Sequence, residues 1–169
     1  MSNPLVLLEI SSGEILLELF PGQAPITVEN FLRYVDSGFY NNTIFHRVIK
    51  GFMIQGGGLT LRLEEKPALP PIRNEADNRL HNKRGSLAMA RTGEPHSASA
   101  QFFINQVDNP ELDFREASVE GYGYCVFGQV LEGLEVVDKI CKLKVRDVGE
   151  HESVPVDSVL IVSAARFEI

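Results

Sequence analysis

The chain has 169 residues, a length typical of one domain, and its 44% hydrophobic and 23% charged content is that of an ordinary soluble globular protein. Its formal net charge of −7 argues against non-specific binding to nucleic acid or to an anionic membrane surface, because both need a basic face on the protein. We therefore expect a single domain over residues 1–169 that binds neither nucleic acid nor a membrane.

Neither the N-terminus nor the cysteines indicate export or a metal. The apolar run 5–10 is only six residues long and contains Glu9, so it predicts neither a secretory signal nor a membrane span, and we expect a cytoplasmic protein. Cys125 and Cys141 could form one bridge, but neither has metal-ligand spacing. Cys125 lies in an apolar run, which favours a small buried hydrophobe. We expect no metal and no cofactor.

The first part of the chain predicts a β-hairpin followed by an amphipathic helix. Two strand-like runs, 5–11 and 14–20, flank a Ser-Gly pair. Residues 25–38 predict a helix that ends at a glycine, and Thr27 is the expected N-cap. An apolar stripe at helical spacing is expected to pack in the core, and it consists of Val28, Phe31, Leu32 and Val35.

The remaining pattern predicts mostly strands. Residues 59–81 hold three prolines and many charges, which predicts a long surface loop with a short extended piece near 72–75. A hairpin is predicted within 40–57, and further strands at 85–91, 101–106, 124–130 and, within the closing segment 156–169, at 159–162 continued by 164–167. A second helix is predicted at 133–141, and loops at 92–100, 109–122 and 143–155. About eight strands with short links and two helices predict a mainly β fold, a closed eight-stranded antiparallel β-barrel capped by two α-helices.

The hairpin within 40–57 is the stretch most suggestive of function. Two runs rich in β-branched and aromatic residues flank a Lys-Gly pair. With an odd loop of residues 49–51, Arg47 would face Met53 and Phe45 would face Gln55, because side chains alternate along a strand. A guanidinium, a thioether and an amide would then share one face, which predicts a small-ligand site.

Two further conditions complete this predicted site. Phe52 can line the same pocket as its neighbour Met53 only if the chain bends at Gly51. A second wall is expected from the outer face of residues 101–105, where Gln101 and Phe103 point the same way. The opposite face of the hairpin is predicted to hold His46, Val48 and Ile54.

Other motifs favour structural interpretations. Gly56-Gly57-Gly58 is followed by no helix of the phosphate-binding type, so it predicts a flexible bend leaving a strand. The four histidines are too scattered for a metal site. His96 beside Ser97 and Ser99 allows a hydrolase as a weak alternative, but no nucleophile elbow surrounds the serines.

Three motifs together resemble the cyclophilins, the peptidyl-prolyl cis/trans isomerases that bind cyclosporin in some members. They are FHRVIKGFMIQGG at 45–57, LAMARTG at 87–93 and SAQFFIN at 99–105. The resemblance runs over about residues 4–167, and the second and third motifs are similar to the bacterial branch. The family fold, an eight-stranded antiparallel barrel with two helices, agrees with the predicted elements.

The resemblance implies a role for each matched residue. Arg47 matches the catalytic arginine of the family, while Gln55 and Gln101 match the groups that orient the substrate backbone. The proline pocket is matched by Phe52, Met53, Phe103 and Leu112, and the stretch along which the peptide lies by Ala90, Arg91 and Thr92. Tyr124 aligns with the pocket histidine of the family. Glu111 replaces a frequent tryptophan, which predicts weakened cyclosporin affinity.

The implied activity is catalysed rotation about X–Pro peptide bonds that assists protein folding. The substrates would be proline-containing peptides and unfolded or folding proteins, and Arg47 would stabilise the twisted amide without covalent chemistry. Nothing in the sequence demands more than a monomer. A non-catalytic module that captures proline-containing segments remains the alternative, and the matched set around Arg47 favours the enzyme.

Overall fold

The computed structural model describes residues 2–168, which form ten β-strands, two α-helices and two short 3-10 turns. The strands are β1 (Leu5–Ile10), β2 (Gly13–Leu19), β3 (Thr43–Ile49), β4 (Met53–Thr60), β5 (Ser86–Met89), β6 (Phe102–Asn105), β7 (Val126–Glu132), β8 (Val145–Val148), β9 (His151–Pro155) and β10 (Leu160–Phe167). The helices are α1 (Pro25–Asp36) and α2 (Leu134–Cys141), and the 3-10 turns are Ala76–Asn78 and Pro110–Leu112.

Eight of these strands close into an antiparallel barrel in the order β1-β10-β3-β4-β6-β5-β7-β2. The predicted fold class is therefore confirmed. Both helices contribute buried side chains to the barrel core, among them Phe31 of α1 and Ile140 of α2, each 0% exposed. Within the part of the chain that the structure describes, no helix is both long and apolar enough to cross a membrane.

Two element predictions were wrong. The region 143–155, expected to be a loop, contains the separate hairpin β8–β9. Because β8 is mostly exposed, it carries no alternation of apolar and polar residues that would reveal a strand. The expected extended piece near 72–75 contains no strand and leads into the 3-10 turn Ala76–Asn78. The closing strand, expected over 159–162 and 164–167, is confirmed as β10.

Helix α1 is capped by a residue from a distant loop. Its N-cap position is Ala24, so the prediction that Thr27 is the N-cap was wrong. Instead, the backbone N–H and the hydroxyl of Thr27 each donate to Glu75 Oε1 at 2.7 Å. Glu75 is 5% exposed, and a carboxylate at this end of a helix is favoured by the helix dipole. The long loop is thereby fastened to α1.

We expect Glu75→Gln to lower the free energy of unfolding by about 1–2 kcal/mol, because the amide keeps an acceptor but loses the charge that strengthens both hydrogen bonds. Urea unfolding followed by far-UV circular dichroism measures this change. Glu29→Gln is the matched control, since Glu29 lies on α1 but its side chain is exposed and pairs only with exposed Arg33 among the described residues. Equal losses in the two variants would contradict the capping role of Glu75.

The glycine run lies inside β4 and does not form the expected bend leaving a strand. A β-carbon on Gly56 would lie 2.5 Å from the backbone oxygen of Ile44, and one on Gly57 would lie 2.6 Å from the Phe102 ring. Both distances are too short for a side chain. Glycine at these two positions therefore allows β3 and β6 to lie close to β4.

Cys125 and Cys141 are both buried and are free thiols. Burial raises the pKa of Cys125 to about 12 and that of Cys141 to about 11. The prediction that Cys125 is a small buried hydrophobe is confirmed, since it is 3% exposed in the core.

Candidate active site

One row of residues crosses five neighbouring strands on the outside of the barrel. Strand pairing joins Arg47 of β3 to Gln55 of β4, Gln55 to Phe103 of β6, Phe103 to Ala88 of β5, and Ala88 to Val126 of β7. Because side chains alternate along each strand, the neighbours of these residues point into the barrel core, among them Ile54, Leu87 and Ile104. The row therefore places a guanidinium and an amide at one end of an apolar strip.

The register of the β3–β4 hairpin differs from the predicted one. Arg47 pairs with Gln55, and Ile49 pairs with Met53, so the turn holds residues 50–52 and lies one residue later than predicted. Arg47 therefore does not face Met53 directly. The turn still has an odd number of residues, which keeps the two on the same face of the hairpin.

A β-bulge changes the position of Phe45. Phe45 pairs with Gly56 and not with Gln55, and the register shifts between Phe45 and Arg47. Phe45 is 0% exposed in the barrel core, so it does not share the outer face with Arg47 as predicted. Val48 and Ile54 point into the core as expected.

Nine of the predicted site residues line one pocket of about 90 Å³ on this outer face. They are Arg47, Phe52, Met53, Gln55, Ala90, Arg91, Phe103, Leu112 and Tyr124. The floor is a small apolar cluster separate from the barrel core, in which Met53 and Phe103 are 2% and 4% exposed. The pocket thus combines an apolar floor with a cationic edge.

The expected bend at Gly51 is present. Gly51 has φ +76°, a conformation that side chains disfavour, and the turn brings Phe52 to the pocket beside Met53. Phe52 N donates to Ile49 O at 3.0 Å and Gly51 N donates to Gln106 Oε1 at 2.6 Å, and these bonds hold the turn against the end of β6.

A chain of polar side chains runs along one edge of the pocket. Arg47 Nη1 donates to Gln55 Oε1 at 3.4 Å, and Gln55 Nε2 donates to Gln101 Oε1 at 2.9 Å. This is the one hydrogen bond that the Arg47 guanidinium makes within residues 2–168, and it is long, so most of its N–H donors remain unpaired there. Arg47 is half-buried, so these donors are available to a ligand in the pocket.

A second arginine is fixed on another wall. The guanidinium of Arg91 stacks on the ring of Tyr124, 4.4 Å from its centroid, and Tyr124 meets Phe103 edge-on at 5.8 Å. Arg91 Nε and Nη2 donate to Gly123 O at 3.0 and 2.9 Å, and Nη1 donates to Thr92 O at 2.8 Å. Arg91 is thereby held as part of the wall.

Thr92 and Gln101, the other two predicted residues, line a neighbouring groove of about 200 Å³ that shares Gln55, Ala90 and Arg91 with the pocket. The groove also contains Glu65, Ser97 and Ser99, which sequence reasoning did not assign to the site. Glu65 belongs to the long loop and reaches the groove through a bridge to Leu59. No local pattern signals this placement.

The hydrolase alternative finds no support in the local hydrogen bonds. His96 Nδ1 accepts from the backbone N–H of Asn74 at 3.0 Å, and Ser97 Oγ donates to Glu94 O at 2.6 Å. Over residues 2–168, no recorded hydrogen bond joins His96 to a serine hydroxyl. Glu111 is exposed in the turn Pro110–Leu112 and does not line the pocket.

Comparisons with known proteins identify the family. The family model for the cyclophilin type peptidyl-prolyl cis-trans isomerase matches residues 5–166. The chain is 54% identical over 159 residues to peptidyl-prolyl cis-trans isomerase B of Escherichia coli, covering 94% of this chain and 97% of that protein. It is 55% identical over 157 residues to peptidyl-prolyl cis-trans isomerase cyp18 of Streptomyces antibioticus, covering 93% and 95%.

A solved structure gives the same assignment. The crystal structure of a Cryptosporidium parvum cyclophilin type peptidyl-prolyl cis-trans isomerase, in the presence of the dipeptide Ala-Pro, superposes with a TM-score of 0.77 at 28% identity, covering 98% of this chain and 99% of the other. The barrel, the outer pocket and these relatives agree, and the chain belongs to the cyclophilin-type peptidyl-prolyl cis–trans isomerases.

Proposed function

We propose that the outer pocket receives the proline ring of an X–Pro segment and that Arg47 stabilises the twisted amide. Rotation about this bond has a barrier of about 18–20 kcal/mol, because the planar amide loses its resonance on twisting. The proline nitrogen then gains a lone pair that accepts a hydrogen bond. The observation that carries the proposal is the position of Arg47, at the edge of an apolar pocket and bonded weakly to Gln55.

The charge of Arg47 suits this role. A guanidinium stays protonated at any working pH, so it acts as an electrostatic donor and does not transfer a proton. Ion pairs within residues 2–168 involve neither Arg47 nor Arg91, so no carboxylate is paired directly with either guanidinium. A charge-assisted hydrogen bond to the amide nitrogen is stronger in the twisted state than in either planar state, which is the requirement for catalysis.

The apolar walls would hold the proline ring still while the preceding carbonyl turns. The apolar lining comes from three separate segments of the chain and consists of Phe52, Met53, Phe103 and Leu112. Gln55 and Gln101 would bind the substrate backbone beside the ring, and the stretch Ala90, Arg91 and Thr92 would lie along the peptide. A rate gain of about 10⁵ requires these interactions together to supply about 7 kcal/mol.

The substrates we propose are unfolded or folding proteins whose folding waits for proline isomerisation, acted on by a monomer in the cytoplasm. Cyclosporin is expected to bind weakly, because Glu111 replaces an aromatic side chain beside Leu112 with an exposed charge. The assignment of Tyr124 to the substrate wall is supported by its place between Phe103 and Arg91.

The test is an NMR exchange measurement on short X–Pro peptides with varied X, at substoichiometric protein and with or without cyclosporin. We expect faster cis–trans exchange with wild-type protein and inhibition only at high cyclosporin concentrations. Peptide binding without faster exchange would overturn the proposal and favour a non-catalytic module. Inhibition by cyclosporin at stoichiometric concentrations would overturn the expectation for Glu111.

A further inference from the structure

Three buried asparagines form a hydrogen-bonded chain behind the pocket. Asn82, Asn105 and Asn109 are 1%, 0% and 3% exposed. Asn109 Nδ2 donates to Asn105 Oδ1 at 2.8 Å, and Asn105 Nδ2 donates to Asn82 Oδ1 at 3.0 Å. Asn105 is therefore the central member, since it accepts from one neighbour and donates to the other. We refer to these three residues as the asparagine chain.

Both ends of the asparagine chain terminate on backbone oxygens of pocket residues. Asn109 Nδ2 donates to Phe52 O at 3.0 Å. At the other end, Asn82 Nδ2 donates to Leu112 O at 3.2 Å and to Tyr124 O at 3.3 Å. Phe52 belongs to the β3–β4 turn, whereas Leu112 and Tyr124 belong to the segment between β6 and β7. The asparagine chain thus joins two walls that come from different parts of the sequence.

Backbone hydrogen bonds hold each wall by itself. Phe52 O also accepts from Gln106 N at 2.9 Å, and Leu112 O accepts from Tyr124 N at 2.8 Å. These bonds do not connect the Phe52 wall with the Leu112 wall. A buried amide network whose members are paired is rigid, because an unpaired amide in a low-dielectric interior is costly. The spacing between the two walls is therefore tied to the pairing of the asparagines.

We propose that the asparagine chain positions the pocket for the isomerase reaction, with Asn105 as its central positioning residue. The inference rests on the proposed placement of the proline ring between these walls. The ring touches the walls in the planar and the twisted amide alike, because the rotating bond precedes the ring. Loosening the walls therefore weakens binding of both states, which raises KM and leaves kcat nearly unchanged.

The test compares the steady-state kinetics of Asn105→Leu with those of wild-type protein on one X–Pro peptide. Leucine has the branched shape of asparagine but neither donates nor accepts. We expect KM to rise about tenfold, with kcat changed by less than about twofold. Asn109→Ala removes the hydrogen bond to the Phe52 wall and keeps Asn105 paired with Asn82, so a rise of about threefold is expected. This second variant decides the question if Asn105→Leu does not fold.

Thr43→Val is the control for a lost buried hydrogen bond away from the pocket. Thr43 is 0% exposed and its hydroxyl donates to Tyr40 O at 2.7 Å. We expect this variant to lower Tm and to keep the wild-type KM. The inference is overturned if the folded asparagine variants keep the wild-type KM, or if Thr43→Val raises KM as much as they do. Failure of the proposed function is distinguishable, because wild-type protein would then not accelerate exchange at all.

Discussion

Replacing Arg47 by alanine should lower kcat/KM for an X–Pro peptide by about 10²–10³-fold, the usual loss when one preorganised donor to a transition state is removed. The barrel should remain folded, because the Arg47 side chain makes a single hydrogen bond within residues 2–168, the long one of 3.4 Å to Gln55. A protease-coupled or NMR exchange assay measures the activity, and circular dichroism checks the fold.

Two further variants separate the geometry of Arg47 from its charge. Arg47→Lys keeps the positive charge but loses the planar fork of donors, so intermediate activity is expected. Lys50→Ala removes an exposed positive charge from the turn of the same hairpin and should leave kcat/KM within about twofold, since exposed charges are screened by solvent. Wild-type turnover by Arg47→Ala would refute the proposed mechanism.

Side-chain alternation made the pocket wall predictable in part. It placed Arg47, Met53 and Gln55 on one face of a hairpin, and Gln101 and Phe103 on one face of a second strand. The structure joins the two faces through the pairing of Gln55 with Phe103. The bend at Gly51 followed from the same reasoning, because two sequence neighbours line one pocket only where the strand is interrupted.

What sequence reasoning missed depends on contacts between distant segments. The β3–β4 register moved because the turn lies at residues 50–52, and a bulge at Phe45 then changes the strand partner of Phe45; composition carries no signal for a bulge. Glu75 caps α1 across 48 positions of sequence. The asparagine chain joins residues 82 to 109, and each asparagine alone is typical of a turn. Such groups become evident only when the fold brings them together.

His46 gives the second large expected effect, a loss of stability in mild acid. Burial, with smaller contributions in the same direction from His151 and Arg47, lowers its pKa from an ordinary value near 6.5 to about 4. The ring packs against His151 at 6.0 Å, and its Nδ1 has no hydrogen-bond partner among the described residues. The folded state therefore accommodates only the neutral imidazole over most of the working pH range.

Between pH 6.5 and about pH 4 the unfolded chain binds a proton at His46 that the folded chain does not, so acid favours unfolding. We expect the free energy of unfolding to be fully retained above pH 6.5 and to fall by about 3 kcal/mol as the pH approaches 4. Asp36 and Asp138 also have lowered pKa values, but their contributions are lost only below about pH 4.

Urea unfolding at several pH values measures this loss, with far-UV circular dichroism as the signal because the chain has no tryptophan. His46→Gln should flatten the pH dependence between 4 and 6.5, since the group that takes up the proton is gone. His151→Gln should give an intermediate slope, because it removes one of the charges that disfavour protonation of His46. If His46→Gln keeps the wild-type slope, the acid sensitivity arises elsewhere. A flattened pH dependence in His46→Gln would place the acid-sensitive group beside Arg47. We then expect acid unfolding and the loss of isomerase activity to occur over the same pH range.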